Sequence, residues 1–246
     1  MPYPTPLLDH ITTRSEFRNN VYDPSEDTFL FLDALEKDID FIKQIKPSIV
    51  VDLGCGSGCL GVFLLQILST NSSSAKKNTL LKQEDGMERI TDKATKHSLN
   101  NLPFIIGIDI NHTACIAASC TSQVNNVSCN YDTFVGNLTD NLRPYSADVI
   151  LFNPPYVPSK LEDVAKPCIT AAWAGGINGS SVIHEFISLL PTCLSKTGCA
   201  YILLEQRNSF ENINKHFKSL GFDLTIILEK RRRNEHLFII KCTFQK

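Results

Sequence analysis

The run Val50-Val51-Asp52-Leu53-Gly54-Cys55-Gly56-Ser57-Gly58-Cys59-Leu60-Gly61 is the most informative part of this chain. Apolar residues lead into an acid, three alternating glycines follow, and an apolar run at helical spacing begins at once. That order describes a buried strand, a tight turn and a helix. Glycines let a ligand approach bare backbone, and the helix N-terminus offers it unpaired N–H groups. Gly56, Gly58 and Gly61 also fit the dinucleotide pattern G-x-G-x-x-G, a weak match by itself. Three readings stay open here: a nucleoside-type methyl donor, a dinucleotide, or a structural turn. Asp52 favours the first, since a carboxylate there faces a pyrophosphate unfavourably and can receive an ammonium. S-adenosylmethionine has an ammonium and no phosphate.

Outward from this motif the chain alternates. Residues 48–53, 104–109, 131–135, 148–152 and 200–205 read as strands, and 59–68, 112–124, 181–194 and 210–220 as helices. Upstream, Asp23-Pro24-Ser25-Glu26 has the form of a capped helix start with proline at the first helical position. Phe29, Leu32, Ala34, Leu35, Ile39, Ile42 and Ile45 then recur at helical spacing, so one helix is expected there. Downstream, 222–228 and 235–242 flank the basic turn Lys230-Arg231-Arg232-Arg233-Asn234 and should form an antiparallel hairpin. The alternation implies an α/β fold, a mostly parallel sheet covered by helices. Residues 1–20, with three early prolines, read as a loosely held tail before a domain at 21–246. The polar segment 69–101 reads as a mobile insertion; as a helix-to-strand connection it should lie away from the ligand face.

Composition excludes several classes. With 24 basic and 26 acidic residues the formal charge is -2, so the footprint of a stand-alone nucleic-acid binder is missing, and stable nucleic-acid binding is not expected. The apolar runs are strand-sized, far below the ~20 residues of a membrane span. The opening Met-Pro-Tyr-Pro-Thr-Pro has no basic segment followed by an apolar one, so an intracellular protein is expected. Nine cysteines without a C-x-x-C pair read as reduced thiols, and six scattered histidines suggest no metal site.

Two further strand ends carry polar residues. Asp109 closes 104–109, where an acid can accept from both ribose hydroxyls or cap the next helix. Gly136-Asn137-Leu138 follows 131–135, where an adenine could rest with the Asn137 oxygen accepting from its amine; by itself it reads as an ordinary turn. The sharpest signal is Asp148-Val149-Ile150-Leu151-Phe152-Asn153-Pro154-Pro155-Tyr156. Two prolines stop a buried strand and fix the backbone so that a carbonyl points outward. Asn153 and that carbonyl can grip both hydrogens of one NH2 group, drawing a delocalised amide or aromatic amine nitrogen toward a nucleophilic geometry. Tyr156 would supply an aromatic face for a planar acceptor. Asn153, Pro154 and Tyr156 are therefore the expected catalytic residues.

With these motifs placed, the chain resembles the HemK-like class I methyltransferases. The likeness runs from about Val21 onward and rests on Tyr22-Asp23-Pro24-Ser25-Glu26-Asp27-Thr28, the glycine turn, Asn153-Pro154-Pro155-Tyr156 and Ala171-Ala172-Trp173-Ala174-Gly175-Gly176. The short stretch before the first strand is similar to the eukaryotic and archaeal subgroup. The resemblance implies a Rossmann-like seven-stranded sheet and S-adenosylmethionine as cofactor. It implies methylation of the glutamine side-chain amide in the Gly-Gly-Gln motif of a class I translation release factor. It further implies a cofactor site made of Thr28, Asp52, Gly54, Gly56, Asp109, Asn137, Leu138 and Asn153, with asparagine at 137 where the subgroup usually has aspartate. A small zinc-binding activator protein should pair with the edge strand 131–135, giving a heterodimer, in the cytoplasm with the nucleus as an alternative. N6-adenine methylation and histone-lysine methylation are the competing activities.

Overall fold

The computed structural model describes residues 3–73, 102–164, 166, 168–231 and 235–245. The glycine motif folds as expected: β1 (Ile49–Leu53) runs through the turn into α4 (Cys59–Ser73). Before it come α1 (Asp9–Thr13), α2 (Glu26–Lys37) and α3 (Ile39–Ile45); after it β2 (Phe104–Asp109), α5 (His112–Val124), β3 (Tyr131–Val135) and β4 (Ala147–Phe152). The chain closes with α6 (Ser181–Cys193), β5 (Leu194–Glu205), α7 (Phe210–Ser219), β6 (Phe222–Arg231) and β7 (His236–Phe244).

The seven strands form one sheet in the order β3-β2-β1-β4-β5-β7-β6. The first five are parallel, and β7 runs antiparallel to both β5 and β6. From β1 the chain winds outward to β2 and β3, then returns to place β4 on the other side. This reversal between β1 and β4 opens a crevice at the carboxyl ends of the strands, the place where such sheets hold ligands. Side chains alternate along each strand, so both faces are buried. Val50, Val149, Leu151, Tyr201 and Leu203 pack under α2, α3 and α4. Val51, Leu53, Ile150, Phe152, Ile202 and Leu204 pack under α6 and α7. Each such side chain, fully buried, contributes about 1.5–3 kcal/mol.

The expected loose tail is corrected. Ile11 and Phe17 are each 1% exposed and pack with Val21 against Ala117 of α5. His10 Nε2 meets Thr121 Oγ1 at 2.9 Å, and Asn111 Nδ2 donates to the Asn20 carbonyl at 2.8 Å. Ile11 and Phe17, with Leu8 packed beside them, dock the segment on the small-residue face of α5.

The single expected helix after Asp23 is two. The first starts at Glu26 with Ser25 at its cap position and no side-chain cap bond, so neither Asp23 nor Pro24 takes the expected place. It ends at Asp38, whose Oδ2 accepts from Tyr201 Oη and Lys241 Nζ, both at 2.6 Å. Two distant strands thus hold the break. Residues through Ser73 of the expected insertion continue α4, and 74–101 lie outside the described residues, as do Arg232, Arg233 and Asn234 of the basic turn.

Candidate active site

The glycine turn is built for a ligand's approach. Gly54 has φ +62°, a left-handed conformation that a side chain rarely adopts, and it leaves the backbone open beside the Phe152 ring. Gly58 is needed for another reason: a Cβ there would come 2.8 Å from Ala118 Cα, so α5 could not lie against the turn. Gly56 N–H donates to Asp109 Oδ2 at 3.0 Å, and Asn111 N–H to Asp109 Oδ1 at 2.8 Å. These bonds fix the carboxylate at the mouth of the crevice, and burial raises its affinity for a proton. Leu138, with φ +46°, holds the left-handed backbone that lays it on the crevice floor.

At the tip of β4, Asn153 turns toward α2. Its Nδ2 donates to Asp27 Oδ2 at 2.9 Å, while Tyr22 Oη donates to Asp27 Oδ1 at 3.0 Å. A carboxylate accepts only, so the Asn153 amide is oriented: its nitrogen faces Asp27 and its oxygen faces away. That oxygen, Oδ1, is buried and has no donor among the described residues. A buried amide oxygen without a partner costs about 1–3 kcal/mol, a cost that a donor reaching it would remove.

The crevice encloses about 1150 Å³ of space open to solvent. Thr28, Gly54, Gly56, Asp109, Asn137, Leu138 and Asn153 all line it. Tyr22, Asp27, Cys55, Ser57 and Glu185 also line it and were not expected as ligand contacts; Val164, Ile169 and Ala172 of the segment after β4 complete the wall. Three carboxylates, Asp27, Asp109 and Glu185, face it, and none of its described lining residues is lysine or arginine. Such a cleft attracts a cation and repels a pyrophosphate.

Three expected residues stand elsewhere. Asp52 is 1% exposed and does not line the crevice: its Oδ2 accepts from Gly61 N–H and from Tyr131 Oη, each at 3.1 Å. Strand alternation put its side chain on the α4 face, under the helix N-terminus and off the crevice wall. The three lining carboxylates, and not Asp52, disfavour a dinucleotide. Pro154 is buried, and Pro155 takes its place on the crevice wall. Tyr156 packs on the core behind the crevice, and its carbonyl accepts from Asn208 Nδ2 at 3.0 Å. Burial keeps its phenol protonated.

At the sheet edge, a shallow groove runs between α5 and β3, lined by Ile116, Phe134 and Val135; Ile116 and Val135 are 43% and 47% exposed. No described helix is long and apolar enough to cross a membrane.

No family model matches the chain. The catalytic subunit mtq2 of the eRF1 methyltransferase of Schizosaccharomyces pombe is 30% identical over 248 residues, covering 96% of this chain and 94% of that one. Mouse methyltransferase HEMK2 is 31% identical over 241 residues, covering 97% and 95%. Among solved structures, the Mtq2-Trm112 complex of E. cuniculi, responsible for methylation of the eRF1 translation termination factor, superposes with a TM-score of 0.55 at 22% identity. It covers 92% of this chain and 99% of that chain and shares its fold. Similarity of this extent, over nearly the full length of both relatives, makes the chain a methyltransferase of the family that HEMK2 and mtq2 represent.

Proposed function

We propose that this protein uses S-adenosylmethionine to methylate the side-chain amide of the glutamine in the Gly-Gly-Gln motif of a class I translation release factor, as the catalytic subunit of a heterodimer. The carrying observation is Asn153, which lines the crevice with its amide oriented by Asp27 and its buried Oδ1 left without a donor among the described residues.

The residues present fit the cofactor. Its positive charges suit the three lining carboxylates, the glycine turn can admit its amino-acid part, and Asp109 and Leu138 suit a ribose and an adenine. When bound, S-adenosylmethionine supplies an electrophilic methyl group. A glutamine amide nitrogen is a poor nucleophile, since its lone pair is shared with the carbonyl. Asn153 Oδ1 accepts one of its hydrogens, and a main-chain carbonyl of the Asn-Pro-Pro turn accepts the other. Together they align the lone pair with the methyl group, so catalysis is orientation and electrostatics without a prior proton abstraction, and the nitrogen gives up one proton to solvent after the transfer. Asp27 keeps Asn153 from rotating its nitrogen into the same place.

The relative from S. pombe is named a catalytic subunit, and the similar E. cuniculi protein was solved as a complex. For this chain a small zinc-binding activator is proposed on the β3 edge, where backbone pairing and the Ile116–Val135 groove are available. A release-factor substrate supports a cytoplasmic location, with the nucleus as the alternative.

The test supplies labelled methyl donor with release factor, duplex DNA or histone, with and without the activator. Transfer to the Gly-Gly-Gln glutamine, lost in Asn153→Ala while cofactor binding persists, supports the reading. Transfer to adenine or lysine alone overturns it.

A further inference from the structure

Asp52 stands opposite Gly107 across the β1–β2 pair, and beyond β2 lies the edge strand, whose first residue is Tyr131. The Tyr131 ring reaches Asp52 through a slot left by two glycines. A Cβ on Gly107 would come 2.8 Å from the Tyr131 hydroxyl, and one on Gly61 would come 2.6 Å from the ring. The hydroxyl and the Gly61 N–H converge on one atom, Asp52 Oδ2, each at 3.1 Å. The other ionisable groups facing this carboxylate are Cys55 in the glycine turn, Cys59 on α4 and Asp109 on β2, none of them cationic. Only two neutral donors therefore favour a buried negative charge here.

We propose that Tyr131 is a positioning residue for the cofactor: from the edge of the sheet its hydroxyl anchors Asp52, and Asp52 anchors the first turn of α4 beneath the glycine turn. The inference rests on the cofactor assigned above. Ionised Asp52 holds both donors more strongly than neutral Asp52 and adds negative charge under a turn that receives a cation, so cofactor affinity follows its ionisation. Burial pushes the Asp52 carboxyl up to about 7, within the physiological range. Removing the hydroxyl removes one of two donors to the charged form and drives that value higher.

Tyr131→Phe keeps the ring in its slot and deletes only the hydroxyl. Affinity for S-adenosylmethionine is measured from pH 5.5 to 8.5 on the full chain, alongside Asp52→Asn. The wild type should bind more tightly as pH rises through about 7. Tyr131→Phe should bind several-fold more weakly at pH 7 and recover toward pH 8.5, its inflection moved upward. Asp52→Asn should lose that inflection, which separates Asp52 from Asp109 and from the ligand's own amine. A ligand-free readout, the ¹³C shift of the Asp52 carboxyl, should titrate near neutrality in the wild type and higher in Tyr131→Phe. The same inflection in both proteins, or a loss of affinity equal at every pH, overturns the proposal. Failure of the wild type to bind the cofactor at any pH overturns the assigned cofactor instead, and the carboxyl titration still decides the role of Tyr131.

Discussion

β1 and β4 lie side by side with Leu53 opposite Phe152, and each brings a polar residue to the crevice end of the sheet, yet the two residues have opposite fates. Asp52 has its donors supplied from inside the protein, by Gly61 and Tyr131. Asn153 has its nitrogen satisfied by Asp27 and its oxygen left open. A carboxylate already bonded to an α-helix N-terminus shapes the turn above it. An amide with one free acceptor, in a cleft, is equipped to hold a substrate. The acid beside the glycines is thus saturated by the protein's own donors, and the neutral amide at the neighbouring tip is the one proposed to meet the substrate.

The largest expected effect is on the open side of this comparison. Asn153→Ala should lower kcat by about 10²–10³-fold, the usual cost of removing one preorganised partner of the reacting group. Cofactor affinity should stay within a few-fold. Equal losses in kcat and cofactor affinity would make Asn153 a part of the cofactor site and no more.

Next is Asp27→Ala, which frees the Asn153 amide to rotate. A kcat loss of about 10–100-fold is expected from the lost orientation. Turnover near the wild-type value would mean that the Asn153 rotamer is set by something else.

On the closed side, Gly61→Ala should cost about 1–3 kcal/mol, since its methyl would lie 2.6 Å from the Tyr131 ring and must push it from Asp52. Chemical denaturation measures this, and an unchanged midpoint would show that the slot has room. Asp52 also gives stability a pH dependence. Its carboxyl is raised from 3.8 to about 7, so it stays protonated in the folded chain while the unfolded chain ionises. Its contribution is complete below about pH 4 and is lost as pH rises to about 7, levelling off above. Asp52→Asn should remove this slope from a pH series of melting curves.

The smallest effect on the fold is expected at the edge. Val135→Glu changes an exposed position, so stability should move by no more than about 0.5 kcal/mol while capture of the activator is lost. Retained heterodimer formation would locate the partner elsewhere.

Much of this arrangement was legible beforehand. β2, β3 and α5 begin and end where apolar periodicity placed them, and seven expected ligand contacts share one crevice. Asp52, Tyr156 and the N-terminal segment were misread for one reason. Residue type alone suggested an ammonium partner, an aromatic platform and a polar tail, whereas the face of the strand and the packing of α5 determined otherwise. Asp27 was visible within Ser25-Glu26-Asp27-Thr28, but no spacing connects it to Asn153, 126 positions away.

Most strand, turn and helix identities were set by the sequence alone, because period, glycine freedom and proline geometry act within a few residues of one another; α1 and the break between α2 and α3 were not. The same local rules placed the crevice, since the alternation of elements implies where a parallel sheet reverses. Which polar atoms are saturated and which stay open was decided only by the tertiary structure. Those atoms meet partners 79 and 126 residues distant, and a hydrogen bond depends on angles and distances that exist only once the sheet has closed.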